Sequence, residues 1–507
     1  MVIAALLLGL GFALFNQLGV PLRATHGARV NGDEPFYLLT TVSLLADGDL
    51  DLANDYALHR YRAFFDHPDD LWHQSSPTAD GRVLSPHNAG TSLLVLPAYK
   101  LGGVDGAKRY LGALAGLIVT FAALLAYRAT GHASASLVAA ALLGASAPLF
   151  VYATQVYPEA PAALLVTMCV WLLLRRGGGW RSAVVIALLL NGLAWLGVKY
   201  AVVGGTLALL GRARLSSTGR RLLLLLLVPS AAGFAWFHLA VYGGLTPYAV
   251  NTLYAGSDTF QLVALHLELW NRVYRLAGLW IDGEFGLVRW APCLLLVLPA
   301  LLPIARRAGP VRWLVLVPVA AQVLVAAFLS ITMRGWWFPG RMLIVVLPLL
   351  VVPLAETLSQ VPRPTSHAPH RLLLTSNVQR RTSNVRFDLA MLWGRFWPTA
   401  ACLLLGLYTA GITRALREAV AAEHVVLAVN PFALSWWPFA AAGSVFPVYT
   451  SYEPRTWLLT AAWCVVGMAL LLRGRPPAAL RLLAGWHPHM VSRGVGRAGA
   501  RLLEQRP

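Results

Sequence analysis

Apolar runs of membrane-crossing length recur from one end of the chain to the other. They cover residues 2–21, 109–127, 133–151, 158–174, 182–198, 200–211, 222–241, 290–305, 313–331, 342–358, 397–413 and 456–472, the sixth being short for a span. The hydrocarbon core of a bilayer takes a helix of roughly 20 apolar residues. A spanning backbone must also satisfy its own hydrogen bonds, which leaves helices or closed barrels. These runs are too long and too uniformly apolar for barrel strands, whose side chains alternate. The pattern predicts an all-α polytopic membrane protein of about twelve transmembrane helices.

The polar gaps between runs divide the rest of the chain. The first, about 22–108, holds two amphipathic helical patterns near 35–47 and 55–66, then a short apolar stretch from Thr91 to Leu101. That stretch is too short to span and is expected in or dipping into the interface, so the gap reads as an ordered extracytoplasmic loop with juxtamembrane helices. Other large outer gaps are 242–289, 332–341 and 414–455. Residues 359–396 form a basic, low-complexity linker with a near-repeat, Thr375–Val378 and Thr382–Val385, and 473–507 form a basic tail. The expected division is therefore a transmembrane core at 1–358, the linker, a C-terminal helical part at 397–472, and the tail.

Charge orients this arrangement. Only 12% of the 507 residues are charged and 57% are hydrophobic, against about 25% charged in soluble proteins. Lysine is rare and arginine abundant, and the net charge is +19. The arginines sit in alternate short loops: Arg128; Arg175, Arg176 and Arg181; Arg212, Arg214, Arg220 and Arg221; Arg306, Arg307 and Arg312. This fits the positive-inside rule with both termini cytoplasmic in a plasma or inner membrane. No basic patch interleaved with aromatics points to nucleic acid. Of the 22 acids, eleven lie between Asp33 and Asp105, and eight more (Glu159, Asp258, Glu268, Asp282, Glu284, Glu418, Glu423 and Glu453) also fall outside. Only Glu356, Asp388 and Glu504 fall inside, so the outer face is expected to carry the working surface. The first run lacks a basic leader and residues 24–28 match a cleavage site poorly, so it reads as a retained span. Cys169, Cys293, Cys402 and Cys464 all lie in apolar runs, with no disulfide or metal spacing.

Candidate chemistry gathers at the outer ends of the runs. Asp33 and Glu34 stand side by side just past the first run, where an ionised carboxylate is costly. A carboxylate there can deprotonate a hydroxyl, and its neighbour can orient an acceptor. The alternative is an acid pair capping the helix that begins near Phe36. Glu159 follows Pro158 between two apolar runs, as a site acid or as a first-turn acid favourable to the helix dipole. Lys199 interrupts an apolar run near the outer face and can neutralise a lipid phosphate or snorkel to headgroups. Arg334 and Arg341 flank a Trp-rich turn and can hold phosphate through paired hydrogen bonds. His87 and Asn88 can hydrogen-bond a sugar. His59, His67, His73 and His87 share the first loop with many aspartates, but no tight ligand spacing supports a divalent cation, so no metal or other cofactor is expected. There is no Walker motif or nucleophile elbow, so the energy for a transfer has to arrive with the substrate. A sugar on a polyprenyl phosphate supplies it.

These residues resemble the GT-C superfamily of membrane glycosyltransferases, in particular the branch with bacterial aminoarabinose transferases and protein O-mannosyltransferases. The resemblance rests on Gly32-Asp33-Glu34-Pro35-Phe36-Tyr37 after the first span, Ser85-Pro86-His87-Asn88 continuing to Leu94, Tyr157-Pro158-Glu159, Gly286-Leu287 through Ala291-Pro292, and Pro339-Gly340-Arg341-Met342 before an apolar run. It covers residues 1 to about 355. It implies a GT-C-like fold and inverting transfer from a polyprenyl-phosphate sugar to a hydroxyl of an envelope glycan, lipid or protein. It further implies Asp33 as the catalytic base, Glu34 and Glu159 as acceptor- or donor-binding acids, and Lys199 and Arg341 as phosphate ligands; beside it, Tyr37, His87 and Asn88 are counted as substrate-binding candidates and Arg334 as a further phosphate-binding candidate. The chain departs from the family where a Pro-Pro pair is replaced by Pro86-His87-Asn88. The C-terminal third matches no recognisable soluble domain. Two rival readings remain at this stage: a transporter or flippase of a lipid-linked glycan, which calls for mid-membrane charges and repeat symmetry, and a non-catalytic subunit of an envelope-polymer machine.

Overall fold

A computed structural model describes residues 1–24, 28–30, 32–175, 177–252, 269–330, 332–360, 389–450 and 453–473. The expectations for the basic linker, its near-repeat, the C-terminal tail, and the acids Asp258, Glu268, Asp388 and Glu504 lie outside these residues. Among the described residues the regular structure is helical, with isolated bridges such as Asp51 with Leu84 and no named strand. The chain is a multi-pass membrane protein of helical build.

Helices form at all twelve expected runs, but they differ in length. Six are long and apolar enough to cross a bilayer: Val2–Gly19, Gly90–Thr130, Ser217–Tyr242, Pro310–Leu329, Pro398–Ala421 and Pro454–Arg473. The others are shorter or broken, and proline explains several of the breaks. The run at 133–151 divides into Ala133–Gly144 and Ala147–Tyr152, with Pro148 in the first turn of the second piece. The run at 290–305 becomes a six-residue 3-10 segment, Pro292–Val297, followed by Leu298–Arg306. A proline lacks the amide proton that would continue the preceding helix.

The juxtamembrane expectations are met in part. The first amphipathic pattern folds as helix Glu34–Ala46. The second is split into Ala53–Ala57 and a 3-10 turn Arg60–Ala63, because His59 takes a left-handed conformation (φ 49°). The short apolar stretch is helical from Gly90 and runs into a break at Gly102 and Gly103, after which the helix continues to Thr130. The boundary expected at residue 414 also moves, since the helix from Leu389 continues to Ala421.

Small residues set the packing at the centre. Helix Val2–Asn16 lies against Gly90–Thr130 so closely that a Cβ on Gly9 would stand 1.8 Å from Thr120 Oγ1 and 2.7 Å from the Gly116 carbonyl oxygen. Between apolar helices, association depends on such close backbone approach rather than on water exclusion. The opposite face of the first helix, with Leu6, Leu7, Leu10 and Leu14, is exposed. Polar loops at one end tie together into a cap: Ala428 N donates to Ala24 O at 3.1 Å, Gly283 N to Pro447 O at 2.7 Å, and Gly340 N to Phe285 O at 3.1 Å.

Candidate active site

Five separate parts of the chain deliver charged or polar side chains to one place under this cap. Asp33 ends the loop before helix Glu34–Ala46, and Pro35 at the second helical position fixes where that helix starts. Glu159 opens helix Glu159–Leu173. Lys199 lies on the 3-10 turn Val198–Tyr200, where helix Trp180–Leu196 gives way to Ala201–Arg212. Arg341 opens the turn Arg341–Leu343. Gln74 and His87 come from the irregular part of the first loop.

Arg341 joins the two acids. Its Nη2 donates to Asp33 Oδ2 at 2.8 Å, across 308 positions of sequence, and its Nε donates to Glu159 Oε1 at 2.9 Å. The guanidinium carbon is 4.1 Å from the ring centre of Tyr157 and 4.9 Å from that of Trp337. Arg341 and Glu159 are 5% and 2% exposed at the side chain, so this pair is held away from water, where ion pairs persist only with good geometry. The turn is anchored on both sides: Tyr152 donates to the Phe338 carbonyl, and Gln322 Nε2 to the Met342 carbonyl at 2.7 Å.

Lys199 completes the cluster. Its Nζ donates to the same Glu159 Oε1 at 2.7 Å, and its side chain is 36% exposed. One ammonium proton is therefore committed to Glu159, while the side chain as a whole stays partly exposed. Asn88 sets its position, because Asn88 Oδ1 accepts from Val198 N at 3.2 Å and its Nδ2 lies 3.3 Å from His238 Nε2. Asn88 is buried in this role, and its contacts are with protein groups rather than the open side of the site.

Asp33 is 22% exposed, and both of its oxygens have donors. Gln74 Nε2 donates to Oδ1 at 3.2 Å, and Gln74 Oε1 lies 2.7 Å from His87 Nε2. The His87 ring centre is 4.7 Å from that of Tyr37. Burial disfavours the ionised form of Asp33, but Arg341, with His87 and Lys199, outweighs it and holds the carboxyl well below the usual carboxylate range. Burial pushes the His87 imidazole below its ordinary value, which Asp33 only partly opposes. Burial, reinforced by Asp33 and Glu159, pushes the Tyr37 phenol well up. The site at neutral pH thus holds an ionised Asp33, a neutral imidazole and a neutral phenol.

Gly32 makes the approach of Asp33 possible. It has φ +47°, and a Cβ there would stand 2.7 Å from Tyr157 Oη and 2.8 Å from the Trp336 carbonyl oxygen. With no side chain in the way, Asp33 N reaches Tyr157 Oη and donates to it at 3.2 Å.

The sequence candidates fall into two groups. Asp33, Tyr37, His87, Glu159, Lys199 and Arg341 are brought together. Glu34 is fully buried and accepts from Val156 N at 2.7 Å, which ties the first loop to the segment before Glu159. Arg334 pairs instead with the buried Asp282 at 3.4 Å, whose Oδ1 also accepts from the Glu284 and Phe285 amides. Gln74, Tyr157 and Trp337 belong to the site and were not singled out for it. Tyr157 lies within the Tyr157-Pro158-Glu159 motif and Trp337 within the Trp-rich turn, whereas Gln74 has no sequence signal. Among the described residues, no group of three or more His, Cys, Asp or Glu side chains is arranged to hold a metal ion.

No protein-family model and no curated protein matches the chain. Among solved structures it is similar to ArnT from Cupriavidus metallidurans bound to undecaprenyl phosphate, with 14% identity and a TM-score of 0.43. It is likewise similar to the apo state of that protein, at 14% identity and a TM-score of 0.44. In both comparisons the match covers 92% of this chain and 76% of the other.

Proposed function

We propose that this chain is an inverting glycosyltransferase that moves a sugar from a polyprenyl phosphate to a hydroxyl acceptor at the outer face of the membrane. One observation carries the reading: a carboxylate with partial access to solvent is paired with an arginine that it shares with a second, buried carboxylate, beside a partly exposed lysine. A base and a phosphate-stabilising cation are what such a transfer requires.

In this reading Asp33 accepts the proton of the acceptor hydroxyl as its oxygen attacks the anomeric carbon. The bond from that carbon to the phosphate oxygen breaks, and its electron pair leaves on the phosphate. Lys199 compensates the charge that grows there. Glu159 holds Lys199 and Arg341 at a fixed separation. The acceptor is an envelope glycan, a lipid or a protein, and the Asp33, Gln74 and His87 side faces it.

The test is transfer by purified protein from a panel of radiolabelled polyprenyl-phosphate sugars. At least one donor should yield labelled product, and D33N should abolish that activity while the protein still folds, with some loss of stability from the broken Arg341 pair. Full activity in D33N removes the mechanism. Translocation of a lipid-linked glycan without bond cleavage would favour the flippase reading.

A further inference from the structure

The arrangement that identifies Asp33 as a base also restrains it. Its Oδ2 is taken by Arg341 at 2.8 Å and its Oδ1 by Gln74 at 3.2 Å. A carboxylate so bonded is a poor proton acceptor, because the proton has to displace a charge-assisted hydrogen bond. Meanwhile Arg341, the most deeply placed cation of the cluster, is spent on two carboxylates and only 5% exposed at the side chain. Both facts are explained if the pairing belongs to the resting state only.

We propose that Arg341 changes partner during the reaction, holding Asp33 while it is ionised and passing to the departing phosphate as Asp33 takes up the acceptor proton. The inference rests on the glycosyl-transfer reading and adds the order of events at the cation. The charges balance. Before transfer, Asp33 carries one negative charge and the phosphodiester carries one. The acceptor oxygen gives its proton to Asp33 and its electron pair to the anomeric carbon. The carbon–phosphate oxygen bond breaks toward phosphate. Afterwards Asp33 is neutral and the phosphomonoester carries two charges, so the charge lost at position 33 reappears on the leaving group. A cation able to serve both places follows it.

The geometry provides the pivot. Arg341 holds Glu159 through Nε and Asp33 through Nη2, so the Asp33 contact can break while the Glu159 contact stays. The rings of Tyr157 and Trp337, at 4.1 and 4.9 Å, keep the guanidinium close to its place as it turns. Lys199 shares Glu159 Oε1 with Arg341, so a phosphate on the open side of Lys199 is next to the arginine that would turn toward it. The other groups facing Asp33 are neutral in the resting site or only donate: His87, Tyr37, Tyr157 and Gln74.

The reading makes an unusual demand on an inactive variant. D33N imitates the protonated base and leaves Arg341 without its first partner. It should bind undecaprenyl phosphate about ten- to a hundredfold more tightly than the parent chain, as expected for one added charge-assisted hydrogen bond. The gain should vanish in D33N/R341Q. Binding is read by tryptophan fluorescence or calorimetry in nanodiscs, with the unfolding midpoint as a check, and D33S carries the same expectation should the asparagine variant fold poorly. Equal or weaker binding in D33N and D33S overturns the partner change, as does a gain that persists without Arg341. Either result leaves the transferase reading standing when D33N is inactive in transfer, whereas activity in D33N strikes that reading first.

Discussion

Replacing Gly32 by alanine disturbs the site without touching any group that does chemistry. Gly32 has φ +47°, a conformation that costs an ordinary residue about 1–2 kcal/mol. The added Cβ would also stand 2.7 Å from Tyr157 Oη and 2.8 Å from the Trp336 carbonyl oxygen, and the second of these belongs to the backbone. Overpacking of that kind costs about 1–3 kcal/mol, for a total of roughly 3 kcal/mol. Relief requires Asp33 to draw back from Tyr157 and Arg341, and a displacement near 1 Å costs on the order of a hundredfold in rate. Gly81 is the matched control. Its φ is +83° with nothing within 4 Å of a Cβ, so G81A bears only the same backbone cost of about 1–2 kcal/mol. The assay is sugar transfer together with denaturant unfolding in detergent, run on both variants. G32A should lose about two orders of magnitude in kcat while G81A keeps parental activity. If the two variants have the same activity, the close approach at Gly32 does not position the base and the reasoning fails.

Other outcomes follow from the same contacts. E159Q removes the anion that Arg341 and Lys199 share; the buried Arg341 contact should account for a loss of about 3 kcal/mol in unfolding free energy, with little from the more exposed lysine. N88A strands the Val198 amide and loosens Lys199, so the donor KM should rise several-fold with the acceptor KM unchanged, at about 1 kcal/mol in stability. His87 is depressed below its ordinary value of 6.5 by burial, so the folded state binds fewer protons there than the unfolded chain. Its contribution to stability is complete above that value and is lost as pH falls below it, so the unfolding midpoint should drop between pH 7.5 and 5.5, and less in H87Q. An equal drop in H87Q would assign the effect elsewhere.

The helical body was legible because the demand of a bilayer is local. A stretch of about 20 apolar residues declares itself without reference to the rest of the chain, and so do arginines gathered in short loops. The breaks were less legible. The interruptions near Pro148 and Pro292 had a visible cause, while the left-handed residue at His59 that divides the second amphipathic pattern did not. Among the site candidates, Asp33, Glu159, Lys199 and Arg341 stood out because charge beside an apolar run is expensive and therefore conspicuous. Gln74 gave no such sign, since an amide in a polar loop is ordinary.

The sequence by itself determined that this is a multi-span helical protein, because that property is a sum over nearby residues. Which charge meets which was decided only by the fold. Arg334 and Arg341 lie in one short loop beside the same aromatic residues, and nothing local distinguishes them. Yet Arg341 bridges Asp33 and Glu159, and Arg334 pairs with Asp282. Asn88 likewise carries the marks of a sugar ligand in sequence, and folding turned it inward to hold the backbone before Lys199. Pairing depends on distances of a few ångströms between residues up to 308 positions apart, and those distances exist only once the helices have packed.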